Sequence, residues 1–84
     1  MFYVYVLKSK KDNKLYFGFT KDLKKRFKEH QTGLVPSTKP RVPFDLIYYE
    51  SYKSERDAKG REFKLKKGKR AYEQLKKRII DSMQ

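Results

Sequence analysis

Five side chains combine useful chemistry with positions where such groups are seldom found: Tyr5, Tyr16, Arg26, His30 and Glu62. A carboxylate can hold a hard divalent cation. A guanidinium offers phosphate oxygens a planar fork of donors, and imidazole and phenol can take or pass a proton. With 3.6 residues per turn, Glu62 lies roughly 40° from Ala58, on the apolar stripe that Ala58 shares with Leu65. A carboxylate on such a stripe is either paired or bound to a metal. Lys59, Arg61, Lys64, Lys66 and Lys67 surround it, so a structural salt bridge stays open beside the metal. On the preceding helical segment, Leu23, Phe27 and His30 fall on one stripe, and Arg26 borders it one turn before His30. A satisfied core histidine and a solvated arginine would look the same one at a time. The combination carries more: Arg, His and Glu, each aimed toward a sheet.

The elements that must position these groups follow from pattern and punctuation. Phe2 to Leu7 is an unbroken aromatic and β-branched run, suited to a strand buried on both faces. Leu15 to Thr20 is a second aromatic strand, and Asp12-Asn13 supplies turn chemistry between them. A two-residue turn there sets Tyr5 opposite Thr20 and Leu7 opposite Gly18. Tyr5 and Tyr16 then share a face but lie about 13 Å apart along the strands. Gly18 in mid-strand marks a close approach by another group, or a bulge. Thr20 or Asp22 caps a helix that Gly33 ends, and residues 34–43, with all three prolines, form a loop. Phe44 to Tyr52 is a third strand. Ser54 caps the next helix, which runs to about Lys67 and stops at Gly68; Ala71, Tyr72, Leu75 and Ile79 mark a last amphipathic helix. The order β-β-α-β-α-α predicts an α/β (α+β) domain with a small three-stranded sheet, antiparallel or mixed, flanked by three helices over residues 1–84.

Composition narrows the partners. The chain has 84 residues, no Cys, one His and a net charge of +13. Disulfides and thiolate metal sites are excluded, and a single His argues against zinc. The charge excess calls for a polyanion, nucleic acid ahead of an anionic membrane. Lys25, Lys39, Arg41, Lys67, Lys69 and Arg70 are the candidate phosphate contacts. No apolar run approaches the ~20 residues that span a bilayer, and the first residues lack the pattern of a signal peptide. The expected setting is cytoplasmic, and the protein is taken as a monomer.

The ordered set Tyr3-Val4-Tyr5, Tyr16-Phe17-Gly18, Thr20, Arg26, His30, Gly33 and Glu62 resembles the GIY-YIG nuclease family over nearly the whole chain. It is most similar to short stand-alone bacterial members related to the N-terminal domain of an excinuclease. The resemblance implies a three-stranded antiparallel sheet, with Tyr5 and Tyr16 as active-site tyrosines and Arg26 on the scissile phosphate. It likewise implies that Glu62 holds one Mg²⁺ or Mn²⁺, and His30 matches a histidine common in the family. Tyr3 replaces the first glycine of the pattern and Phe17 an isoleucine. No Asn follows Glu62, which leaves any such contact to Lys67, Lys69 or Arg70. The implied activity is metal-dependent endonuclease cleavage, of DNA ahead of RNA, structure-selective and placed in repair or recombination. Either Tyr5 or His30 can serve as base. The five site residues are expected to open onto one shallow concave surface. The rival function is a basic module that binds nucleic acid without cutting it.

Overall fold

A computed structural model describes residues 1–84. Strand β1 is Phe2–Ser9, β2 Leu15–Thr20, helix α1 Leu23–Gln31, β3 Phe44–Tyr52, α2 Glu55–Lys67 and α3 Lys69–Arg78. The sheet order is β2-β1-β3 with both pairings antiparallel, which settles where the third strand goes. Val4, Tyr5, Val6 and Leu7 of the central strand are all buried, as an unbroken apolar run requires of a strand covered on both faces. On one face Val4 and Val6 pack with Ala58 and Leu65 of α2, and with Leu75 and Ile79 at and beyond the end of α3. On the other, Tyr5, Leu7 and Phe44 pack against Leu23 and Phe27 of α1.

The hairpin register differs from the one that a two-residue turn would set. Tyr5 stands opposite Gly18, and Leu7 opposite Tyr16. The reason is a four-residue loop, Lys10 to Asn13. The Ser9 amide donates to Lys14 O at 3.0 Å and the Asn13 amide to Ser9 O at 2.9 Å. Ser9 Oγ accepts from the Lys11 and Asp12 amides, and Asn13 takes a left-handed φ of 60°, which Asn tolerates. The slip is two residues, so every side chain keeps its face. The tyrosine separation, however, closes: the Tyr5 and Tyr16 rings are 6.4 Å apart between centroids.

A bulge in β3 divides that strand's side chains between the two faces. Val6 pairs with Tyr48, but Leu7 pairs with Leu46, leaving Ile47 as the extra residue. Phe44 and Leu46 therefore join the α1 face, while Tyr48 and Tyr52 join the α2–α3 face. Between them Glu50, largely buried, accepts from Tyr48 Oη at 2.6 Å, from Tyr52 Oη, and from Arg61 Nε and Nη2 at 3.0 Å each. This network fixes the rotation of α2 against the sheet, and with it the direction of the next residue, Glu62.

Helix ends follow the chemistry of their residues. Asp22 accepts from the Lys25 amide to start α1, Gly33 follows its end at φ 75°, and Ser54 accepts from the Asp57 amide to start α2. The proline-bearing segment is more than a loop: Lys39–Arg41 forms a 3₁₀ turn, and Val35 and Thr38 are buried.

Gly18 is the tightest point of the sheet. A Cβ there would lie 2.2 Å from Tyr5 Cζ and 2.3 Å from its Oη, so the phenol lies across the glycine. Gly18→Ala should lower stability by roughly 1–3 kcal/mol in urea unfolding. The same change in a Tyr5→Leu background should cost much less, because the colliding ring is gone. Equal costs in the two backgrounds would refute the contact.

Candidate active site

The centre of the site is a directed chain of buried hydrogen bonds. Tyr5 Oη lies 2.8 Å from His30 Nε2, and His30 Nδ1 lies 2.8 Å from Thr38 Oγ1. Thr38 Oγ1 donates onward to the Val35 carbonyl at 3.4 Å. A carbonyl can only accept, and this sets every direction upstream. Thr38 accepts from Nδ1–H, Nε2 is left bare, and the Tyr5 hydroxyl donates to it. The imidazole is fully buried and packed edge-on against Tyr5, Tyr16 and Phe44. Burial, aided by the Arg26 charge, pulls its pKa down to about 4. Burial pushes the Tyr5 phenol up to about 12 against the opposing pull of Arg26 beside it; the charges of Tyr16 and Glu62 add to the rise.

Around this chain stand two partly buried groups, Arg26 and Glu62, and the exposed Lys66. Arg26 holds Glu29 through Nη1 at 3.1 Å and also turns its guanidinium to the Tyr5 hydroxyl. It lines a groove of about 410 Å³ with Lys21, Lys25, Glu29 and Thr20 between β2 and α1. Glu62 comes from the other face of the sheet. Lys66 bridges the two sides: its Nζ lies 3.1 Å from Glu62 Oε2 and 5.7 Å from the Tyr16 ring centre. Tyr5, Tyr16 and His30 are in contact and Arg26 stands beside Tyr5, while Glu62 is linked to them only through Lys66; the five do not all open to solvent. Tyr5 is only 1% exposed and His30 0%, because Gly18 lets the phenol lie flat and α1 covers the imidazole.

The profile of the GIY-YIG catalytic domain matches residues 1–77. The chain belongs to the GIY-YIG family. It is 44% identical over 68 residues to a UPF0213 protein of Clostridium perfringens, covering 80% of this chain and 72% of that one. It is 42% identical over 74 residues to the UPF0213 protein YazA of Bacillus subtilis, covering 87% and 74%. The solution NMR structure of a UPF0213 protein from Bacillus halodurans shares 36% identity and a TM-score of 0.56 over 89% of this chain and 82% of that one. The antiparallel sheet and three helices are those of that structure, and membership of the family implies a nuclease.

No three His, Asp or Glu side chains of this GIY-YIG chain converge on one point. Of the carboxylates near the site, Glu29 is held by Arg26 and Asp22 caps α1, which leaves Glu62 as the one donor a metal would take. That fits one Mg²⁺-like ion that takes the rest of its shell from water and phosphate, and it is too small for a caged or two-metal centre. No helix is long and apolar enough to cross a membrane.

Of the candidate phosphate contacts, Lys25 lines the Arg26 groove. Lys39, Lys67, Lys69 and Arg70 are exposed and unpaired. Arg41 is already engaged, with Asp12 at 2.8 Å and the Lys14 carbonyl at 3.1 Å, where it clasps the hairpin loop. Thr38 and Lys66 are the two members of the site that sequence pattern misses. Thr38 sits in a polar, proline-bearing loop with no periodicity to mark it as buried. Lys66 is one of many lysines, and only its i, i+4 spacing from Glu62 singles it out.

His30 gives a pH prediction with a definite sign. Its folded pKa lies below the unfolded value of about 6.5, so the unfolded chain binds the proton first as pH falls. Stability is full above about pH 6.5 and is lost between there and about pH 4, by at most about 3 kcal/mol from this group. The chain has one histidine, so its C2–H resonance is unambiguous. It should titrate near pH 4, and a midpoint near 6.5 would contradict the buried neutral imidazole.

Proposed function

We propose that residues 1–84 form one GIY-YIG nuclease domain that hydrolyses phosphodiester bonds with a single Mg²⁺ or Mn²⁺ held by Glu62. The substrate is nucleic acid, DNA ahead of RNA, acted on by a monomer in the cytoplasm; DNA of irregular structure in repair or recombination suits it best. The observation that carries this reading is the directed chain from Tyr5 through His30 to Thr38, set beside the Arg26 guanidinium.

When bound, the metal would supply charge to stabilise the phosphate and make an attacking water more acidic. The remaining work falls to this chain's own side chains. Arg26 turns its fork to the phosphate, and in doing so uncovers the Tyr5 hydroxyl. Tyr5 takes a proton from the attacking water on one side as it gives its own to His30 Nε2 on the other; the water oxygen bonds to phosphorus as the bond to the leaving sugar oxygen breaks, and that oxygen takes a proton from solvent. The phenol acts as a conduit and never needs to ionise, so a pKa of about 12 is no obstacle. The difficulty is instead the weak basicity of His30. Burial is the main cause of that weakness; phosphate binding relieves only the lesser one, the Arg26 charge, by neutralising it. Thr38 holds Nδ1–H throughout and keeps Nε2 ready. Tyr16, stacked edge-on with the imidazole, positions the phosphate or its water.

The Glu62–Lys66 pair favours one rival, a non-catalytic binding module in which Glu62 is only a salt-bridge partner. Two variants separate the readings on labelled DNA and RNA with and without Mg²⁺ or Mn²⁺. Tyr5→Phe should reduce cleavage about 10²–10⁴-fold, the usual worth of a proton-transfer group. It should leave binding intact and cost about 1–3 kcal/mol of stability, since His30 Nε2 loses its donor. Glu62→Gln should abolish cleavage, keep or slightly raise metal-free affinity, and fold normally. A Glu62→Gln protein that cleaves at the wild-type rate, or a wild type that cleaves nothing in the panel, would defeat the nuclease reading.

A further inference from the structure

The α1 face of the sheet carries a second groove, apart from the one that holds Arg26. Its volume is about 530 Å³, and its walls are Tyr3, Leu46, Tyr49 and Phe27, with Lys21 and Lys24 at the rim. That lies within the ~300–1,000 Å³ range of small-ligand sites. The β3 bulge makes the groove: it sends Leu46 and Tyr49 to the same face, where an unbroken strand would have sent them to opposite ones. Tyr49 stands directly opposite Tyr5 in the sheet and is 53% exposed. Tyr3 meets it edge to face at 6.1 Å between centroids, which leaves the ring presented to solvent in a fixed pose.

The groove has the chemistry of a base-stacking site. An exposed, propped tyrosine offers a π face, and neither rim lysine has a carboxylate partner. The one acid on the wall, Asp22, is committed to the α1 cap through the Lys25 amide. The groove is also connected to the site. Lys21 and Asp22 line both this groove and the one that holds Arg26, so the two meet around the start of α1. A strand whose phosphate lies on Arg26 can turn past Lys21 and place a neighbouring base on Tyr49. Such a base must be unstacked and unpaired, since a duplex cannot offer its faces.

We propose that the Tyr3–Tyr49 groove receives an unpaired nucleobase flanking the scissile phosphate, with Lys21 and Lys24 on the adjoining phosphates. The substrate class is thus nucleic acid with a single-stranded segment beside the cut. The inference rests on the nuclease reading for its register, while the groove's affinity for a base does not require cleavage.

The test uses the full chain without metal, and two oligonucleotides of equal phosphate count, a blunt duplex and a duplex with a single-stranded extension. A 2-aminopurine is placed in turn at each position of the extension. The wild type should favour the extended substrate about tenfold, the scale of one stacked base. It should quench the probe strongly at one position only. Tyr49→Leu, which keeps apolar bulk and removes the π face, should lose both the preference and the quenching; Tyr49→Phe should keep both. Thermal midpoints of the two variants check that each is folded. If Tyr49→Leu retains the preference and the local quenching, the groove is not the base site, while the cleavage tests of Tyr5 and Glu62 stand unaffected. If the wild type sediments as a dimer that Tyr49→Leu dissociates with no change in preference, the groove covers a second copy and the proposal fails. If stacking is found but no substrate is cut, the base site holds and the nuclease reading falls.

Discussion

The hydrogen bond from the Tyr5 hydroxyl to His30 Nε2 joins sheet to helix in the middle of the α1 interface, and its neighbourhood is built to keep it. Both groups are buried, so each would leave an unsatisfied polar atom if the bond were lost. The phenol can reach the imidazole only because residue 18 has no side chain to lift it from the sheet. The imidazole can accept only because Thr38 takes the proton on its far side. The loop carrying Thr38 is itself anchored at both ends of its reach: Arg41 clasps the hairpin, and Gln31 Oε1 accepts from the Phe44 amide at 2.6 Å. No buried side-chain nitrogen or oxygen in the chain lacks a partner. The polar site is therefore compatible with a thin core, because none of its members is buried at the cost of an unmade hydrogen bond.

The site draws on both faces of a sheet only three strands wide. Tyr5, Tyr16, Arg26 and His30 belong to the α1 side, and Glu62 to the α2 side. They are linked because β2 is an edge strand, past which Lys66 reaches from α2 to the Tyr16 ring. That geometry depends on the rotation of α2, which the Glu50–Arg61 bridge holds from the opposite edge strand. Glu50 keeps its charge despite burial, which on its own would raise the carboxyl; Arg61 and the two tyrosine hydroxyls hold it below its usual range. A buried pair of this kind adds little net stability over an apolar one, but it fixes orientation. Arg61 and Glu62 are neighbours in sequence, so the structural pair sets the direction of the Glu62 carboxylate.

How much of this was legible in the sequence varied with the physics of each part. Strand and helix identities follow from apolar period and capping residues, and Asp22, Gly33, Ser54 and Gly68 stand where those signals put them. The stripes that singled out His30 and Glu62 also hold, because helical phase is a local property. Register did not follow, since it depends on loop length, and Ser9 Oγ closing a four-residue loop leaves no pattern distinct from a two-residue turn. The β3 bulge was equally invisible: FDLIYYESY alternates poorly, and which residue is extra is decided by packing against two different helices. Glu50 looks like an ordinary strand-face acid until Tyr48, Tyr52 and Arg61 converge on it. Partners far apart in sequence were the blind spot, and Thr38 is the clearest case.

The Glu62–Lys66 pair bears on the question of metal more subtly than its 3.1 Å distance suggests. An i, i+4 pair with a lysine this exposed is worth only about 0.3–0.5 kcal/mol. Such a contact neither commits Glu62 to a structural role nor keeps a divalent cation away. It does something else in a chain of net charge +13. Without a ligand, Lys66 is the ion-pair partner of a carboxylate whose charge is felt at Tyr5. A cation on Glu62 would free Lys66, which already lies over the Tyr16 ring, to pair with a phosphate oxygen instead. One weak pair can thus trade places with a cation–phosphate unit at almost no cost in pairing energy. A stronger, bidentate arginine at position 66 would not yield so readily, and a neutral residue would leave the unliganded carboxylate uncompensated.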